Sequence, residues 1–264
     1  MRLTQLTQFT LPSYAAGNSA ASSANVYAQV SKIMQSQNTG APQINAALAN
    51  DTTTLSGLGK LMSALTSFQS VAQSLTTTGS DATQLAKNVT GLVSAYNSLN
   101  ASLKGLQQGD LKTDSSVKRI QGQLGRILSM GSSGSTRATF VTPWSVGISI
   151  QKNGDLALDT TKLQKAISAA PDDVAKLFSN NGQGIADKLV SQIKGMIGQG
   201  GSIQNETAAL NKDIASLSAK KASLTKALTL EANALMKQYS QGNTSGLGTS
   251  SQSSGSSSLF DMLG

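Results

Sequence analysis

The chemistry open to this chain is narrow, because its 264 residues include neither histidine nor cysteine. That removes the usual general base near neutral pH, the thiolate nucleophile and the common zinc ligands. Two adjacent carboxylates, Asp172 and Asp173, follow Pro171. In that position they read as first-turn helix acids favoured by the macrodipole, not as a catalytic dyad. Lys152-Asn153-Gly154-Asp155 lacks the further spaced acids of a calcium loop. Gly57-Leu58-Gly59-Lys60 falls short of the phosphate-loop frame and sits inside an apolar helical stripe. Serine and lysine are plentiful, but no spacing selects a serine–lysine dyad. The expectation is a non-enzymatic chain with no catalytic residue, no cofactor and no metal.

Composition points the same way. Aromatic residues make up 4% of the chain and charged residues 13%, so the core must be mainly aliphatic and the surface rich in Ser, Thr, Asn, Gln and Gly. The net charge of +8 comes from scattered lysines. Nucleic-acid binding wants clustered arginine with interleaved aromatics, so no nucleic-acid partner is expected. No apolar run approaches the ~18 residues of a membrane span, and no membrane insertion is expected. The N-terminus carries one basic residue and no continuous apolar stretch, a poor Sec signal. Any export should therefore leave it uncleaved. A cysteine-free chain suits secretion unfolded through a narrow conduit.

The elements that must position these residues are mostly helices. Val26, Val30, Ile33 and Met34 mark a short amphipathic helix. From Ile44, apolar residues fall at Leu48, Leu55, Leu58, Met62 and Leu65, with Asp51 interrupting, and Phe68, Ala72 and Leu75 continue on a shifted stripe. Gly57 and Gly59 weaken this helix by about 1 kcal/mol each relative to alanine, so it needs a partner. Ile203, Leu210, Ile214, Leu217, Leu224, Leu228 and Leu235 keep a coiled-coil spacing in the last helix, with Lys221 and Glu231 breaking the seam. The twelve contact residues expected are thus Leu48, Leu55, Leu58, Met62 and Leu65 with those seven.

Between these helices, Leu85, Val89, Leu92, Tyr96, Leu99, Leu103 and Leu106 form an unbroken stripe. Asp114 or Ser115 can cap a further helix through Val117, Ile120, Leu124 and Ile127. A flexible loop is expected at 131–139. Val146, Ile148 and Ile150 alternate as in a half-buried strand. Asn153-Gly154 supplies the positive φ angles of a tight turn, and Leu156 and Leu158 lie on the return strand. Asp159 can cap a helix carrying Leu163, Ile167 and Ala170, and Pro171 opens another. Ile185, Leu189 and Ile193 form one more, ending at the glycine cluster of 198–201. Trp144 is read as an anchor of the small core, the alternative being an exposed contact residue.

The segment V-G-I-S-I-Q-K-N-G-D-L-A-L-D-T-T-K-L-Q-K-A-I-S-A-A-P-D-D-V-A-K-L-F at 146–178 resembles the bacterial flagellar hook-associated protein 2 family, the filament cap. A Val-Gly-Ile strand, a glycine hairpin, a Leu-Asp helix start, an Ala-Pro-Asp-x-Val helix and a Leu-Phe ending recur in order. N-V-Y-A-Q-V-S-K-I-M, A-Y-N-S-L-N, S-V-K-R-I-Q-G-Q-L and G-I-A-D-K-L also resemble that family, with Asn25 where an acid usually sits. The resemblance covers roughly residues 25–240. One departure is large. The family usually carries a mostly β insertion between its first long helix and the head, whereas here Thr78-Gly79-Ser80-Asp81 alone bridges them.

The resemblance implies a mainly α fold: a terminal coiled-coil leg from the N- and C-terminal helices, plus a small helical head with a β-hairpin. The expected organisation is a disordered export tail at 1–24, N-terminal leg helices at 25–78 and a head at 79–200 with its hairpin at 146–158. A C-terminal coiled-coil leg helix at 201–240 and a Ser/Gly-rich tail at 241–264 follow. It further implies a structural cap at the distal filament tip, promoting flagellin polymerisation and preventing monomer loss. The implied partners are further copies in a homo-oligomeric ring, flagellin, the flagellar type III export apparatus and a cytosolic export chaperone. Legs softened by Gly57, Gly59 and Lys221 would let the ring rearrange. The alternatives are a secreted adhesin, or a flagellum-associated paralogue without capping activity.

Overall fold

The computed structural model describes Ala28, Val30, Lys32, residues 40–130 and residues 140–242. The export tail at 1–24, Val26, Ile33 and Met34, the loop at 131–139 and the tail from 243 onward lie outside the described residues. The elements in order are α1 (Gly40–Thr77), α2 (Ala82–Gln108), α3 (Ser116–Met130), a 3₁₀ turn (Pro143–Val146), β1 (Ile148–Ile150) and β2 (Leu156–Leu158). Then come α4 (Thr160–Ala169), α5 (Pro171–Phe178), α6 (Ile185–Ile197) and α7 (Ser202–Gly242). Ala28, Val30 and Lys32 are helical too. The class is the expected one, mainly α with one small antiparallel hairpin.

Short-range chemistry sets the boundaries. At the end of α1 the hydroxyls of Thr76 and Thr77 donate back to the carbonyls of Gln73 and Ser74, and the chain turns at Gly79 with φ +62°. Asp81 then caps α2, accepting from the Gln84 N–H at 2.7 Å. Of the two candidates before α3, Asp114 supplies the oxygen that takes the Ser116 N–H, at 2.7 Å. Asp159 caps α4 through the Lys162 N–H at 2.9 Å. Pro171 opens α5 with Asp172 and Asp173 in its first turn, where the helix dipole favours them.

Two compact units divide the chain: Ile44–Ala219, and Met1–Gln43 with Lys220–Gly264. In the first, Leu58, Leu61, Leu65, Phe68, Ala72 and Leu75 of α1 are buried with Leu85, Val89, Leu92, Tyr96, Leu99 and Leu103 of α2. Phe68 meets Tyr96 edge-to-face, centroids 5.9 Å apart. Val117, Ile120 and Leu124 of α3 join this core, as do Val146, Ile148 and Leu156 of the hairpin region and the apolar faces of α4, α5 and α6. In the second unit Val30, Leu228 and Ala232 are buried together, with Leu224, Leu235 and Met236 packed against them.

Gly57 corrects one expectation. It is buried, and a Cβ there would lie 2.8 Å from Leu111 Cγ and Cδ2 and 2.9 Å from Asp110 Cβ. The missing side chain is the space Leu111 occupies, so Gly57 serves close packing and not softness. Gly59 faces open space, with nothing within 4 Å of such a Cβ.

The hairpin pairs Ile148 with Leu158, Ser149 with Ala157 and Ile150 with Leu156. Its loop differs from the two-residue turn expected. The Gln151 N–H donates to the Asp155 carbonyl at 2.8 Å and the Gly154 N–H to the Gln151 carbonyl at 2.9 Å. Gly154 alone takes a positive φ, +82°; Asn153 does not. This is a β-turn followed by a left-handed glycine, the three-residue loop that suits strand twist. Asn153 contributes its side chain instead, accepting the Asp155 N–H at 3.0 Å.

Candidate functional site

The hairpin is held to α2 by two asparagines one turn apart, Asn97 and Asn100. Because Gln151 and Asp155 form a hydrogen-bonded pair, Ile150 and Leu156 form the next, non-bonded one. The N–H and C=O of Leu156 therefore point away from β1. Asn97 meets both: its Oδ1 accepts the Leu156 N–H at 2.7 Å, and its Nδ2 donates to the Leu156 carbonyl at 2.9 Å. Asn100, only 4% exposed, donates to Asp155 Oδ1 at 2.6 Å and accepts from Gln121 Nε2 at 3.2 Å. One buried amide thus ties the loop, α2 and α3 together. Buried polar networks hold when every member is satisfied.

Asp155 is the charged member. The hydrogen bond from Asn100 is the main influence holding its carboxyl below the usual carboxylate range. Lys104, 3.3 Å away, and Asn153 act in the same direction, and lost solvation opposes them. Burial, and secondarily the Asp155 charge, raises the phenol of Tyr96. Every group here is engaged in holding the fold.

A second brace shapes the turn between α5 and α6. The Asp187 carboxylate accepts from the N–H groups of Asn180 at 2.8 Å, Gly182 at 3.1 Å and Gly184 at 3.2 Å. It also accepts from the Ser179 hydroxyl at 3.4 Å. This accounts for the aspartate of G-I-A-D-K-L: it organises the loop that reverses the chain. Asp172 accepts from the Ser80 hydroxyl, joining α5 to the four-residue bridge before α2.

Trp144 lies on the surface, 69% exposed, and is not the core anchor expected. The 3₁₀ turn directs Pro143 and Val146 inward, which leaves the indole pointing out. Lys162 fixes it there, its ammonium 3.8 Å from the ring centroid and donating to the Trp144 carbonyl at 2.8 Å. This is an exposed cation–π contact. Ile150 is likewise 44% exposed, so the buried face of the strand ends at Ile148. β2 packs on α2, whereas β1 packs chiefly on β2 and the 3₁₀ turn.

The twelve residues expected in a coiled-coil seam are distributed as follows. Leu58, Leu65 and Ile203 are buried in the main core, with Met62 and Leu210 against it. Leu228 is buried in the second cluster, with Leu224 and Leu235 against it. Leu48, Leu55, Ile214 and Leu217 are half-buried and belong to neither. Leu61, outside the expected set, is fully buried on α1.

Reading the sequence for catalytic types missed Asn97, Asn100 and Asp187, because they act on backbone and not on substrate. The available signal was two asparagines at i and i+3 beside the apolar stripe of Tyr96, Leu99 and Leu103. Among the described residues there is no group of three acids that could hold a metal. No helix among them is long and apolar enough to cross a membrane. An open notch of about 340 Å³ is lined by Lys60, Ser102, Gly105, Leu106, Gly109 and Asp110. Lys60 and Asp110 pair with each other there at 2.5 Å.

Comparison with known proteins gives this scaffold a context. The model of the flagellar hook-associated protein 2 C-terminus matches residues 70–244. Flagellar hook-associated protein 2 of Aeromonas caviae is 30% identical over 172 residues, 60% of this chain and 36% of that one. The B-type flagellar hook-associated protein 2 of Pseudomonas aeruginosa PAO1 is 28% identical over 165 residues, covering 58% and 34%. The crystal structure of the D1-D2-D3 domains of the flagellar cap protein FliD from Escherichia coli is 27% identical, covering 48% of this chain and 36% of that one, with a TM-score of 0.44. The chain spans about a third of the length of the relatives it matches. With the family model covering the hairpin, its asparagine brace and the Asp187 loop, the chain belongs to the flagellar hook-associated protein 2 C-terminus family.

Proposed function

We propose that this chain is a structural, non-enzymatic component of the flagellar filament cap, acting at the distal tip to admit flagellin and retain it. The observation that carries the reading is the family match over residues 70–244. The braced head is compatible with it: Asn97, Asn100 and Asp187 hold main-chain and side-chain groups of the fold. In this reading the protein leaves the cell through the flagellar type III apparatus, escorted by a cytosolic chaperone, and assembles as a homo-oligomeric ring. In this reading the half-buried Leu48, Leu55, Ile214 and Leu217 serve the leg, and head contacts hold the ring. Self-association is expected to be weak, because interfaces below about 1,200 Å² are usually transient.

The test is deletion of the gene in a strain with no second cap gene. Short filaments and flagellin monomers in the medium are expected, both restored by the intact gene. Normal filament length without leakage would overturn the cap reading and favour a paralogue without capping activity.

A further inference from the structure

We infer that a protonated Glu206 donates a hydrogen bond to Asp114, and that this bond fastens the start of α7 to the turn before α3 in mildly acidic but not in alkaline solution. The inference does not depend on the cap reading. It begins with an orphan. Asp114 Oδ1 accepts the Ser116 N–H at 2.7 Å, but its Oδ2 is buried without a donor. A buried acceptor left unpaired is costly, and the Glu206 carboxyl lies within hydrogen-bonding reach of Asp114; the Ser116 hydroxyl, also buried, bonds to neither. Two ionised carboxylates have only acceptors to offer each other. One proton between them supplies the missing donor.

The electrostatics agree with the geometry. Burial is the largest influence raising the affinity of Glu206 for a proton, followed by the hydrogen bond to Asp114 and the Asp114 charge; Arg119 on α3 opposes them. Asp114 and Arg119 are the charged groups that act on Glu206. Asp110, in the same turn, is paired with Lys60 of α1. The nearest charges along α7 in sequence are Lys212 and Asp213. Because the folded carboxyl holds its proton more tightly than the unfolded one, its contribution is complete below the unfolded glutamate value, about 4.3. It is lost as pH rises through the higher folded value. The pair thus loosens toward neutral and alkaline pH.

The test is amide hydrogen exchange across residues 203–210 of the full chain, between about pH 5 and 8, expressed as protection factors. Protection in the unmodified protein should fall by up to about tenfold per pH unit through the titration and then level off. Glu206→Gln carries a permanent donor and should give a flat profile, at least as protected at pH 8. Asp114→Asn keeps an acceptor for Ser116 and can donate to an ionised Glu206, so it should be flat too. If one variant fails to fold, the other carries the comparison. Carbon NMR of the Glu206 carboxyl gives an independent reading: it should titrate above the ordinary glutamate range and move down in Asp114→Asn. A flat profile in the unmodified protein, an undiminished slope in the variant that folds, or an ordinary Glu206 titration would each overturn the inference.

Discussion

Alanine placed at Gly57 and at Gly59 should move stability in opposite directions, although both glycines lie in one helix two residues apart. Each substitution gains up to about 1 kcal/mol of helix propensity. At Gly59 nothing within 4 Å opposes the new methyl, so the gain stands. At Gly57 the methyl would sit 2.8–2.9 Å from Leu111 and Asp110 carbons, where carbon atoms prefer about 3.5–4.0 Å. Leu111 has little freedom to move. It is fully buried, and its N–H donates to the Leu106 carbonyl at 2.8 Å. Overpacking of this kind costs about 1–3 kcal/mol. The two variants should therefore differ by about 1–3 kcal/mol, with Gly59→Ala the more stable. Thermal melting reads this directly, at about 2–4 °C per kcal/mol for a unit of this size. Leu111→Ala added to Gly57→Ala should be less harmful than the sum of the two single changes. A Gly57→Ala protein that melts with or above Gly59→Ala would refute the packing argument.

Asn97→Ala strands the N–H and C=O of Leu156, which should cost about 1–3 kcal/mol for each group left unsatisfied; the urea midpoint should fall without a change in slope. Asn100→Ala should weaken the protein more at neutral pH than in strong acid. The folded Asp155 carboxyl lies below its unfolded value of about 3.9, so its contribution is present above that value and lost as pH falls through the folded one. Urea midpoints between pH 7 and 2 should accordingly converge for variant and parent, and parallel curves would contradict the assignment. Trp144→Ala should cost no more than about 1 kcal/mol, and fluorescence of the single tryptophan should be readily quenched by acrylamide; a blue, protected emission would place the indole inside. If the proposed leg seam forms, Leu217→Asp with Leu228→Asp should lower helicity or change oligomer mass, since a carboxylate in a packed seam meets several kcal/mol of desolvation, and circular dichroism with analytical ultracentrifugation would show either.

The helices of the head were legible because their apolar spacing is regular and their starts carry chemistry that acts within a few residues. Leu85 to Leu106, Asp159 before α4 and Pro171 before α5 are of this kind. The hairpin was visible from alternation, but its loop type was not. Asn-Gly suits several turns, and the choice here is fixed by the Asn153 side chain bonding forward to Asp155. Trp144 went the wrong way because hydrophobic area argues for burial while the 3₁₀ turn and Lys162 decide direction. Gly57 was misread for a related reason. Propensity is local, but the reason for that glycine, Leu111, lies more than fifty residues away. The pair of Asp114 and Glu206 is wholly a product of the fold, since nothing near either residue names the other.

A two-stranded ribbon ordinarily invites company, because its outer margins present main-chain groups to which another chain can add a strand. Asn97 removes that invitation along β2 at Leu156, where both main-chain groups are already taken by a side chain of the same molecule. Any subunit joining here must be recognised through side chains and surface shape, not through generic strand addition. Strand addition at that position would first have to displace a side chain of the same molecule, so β2 guards its own margin there without a charge or a proline.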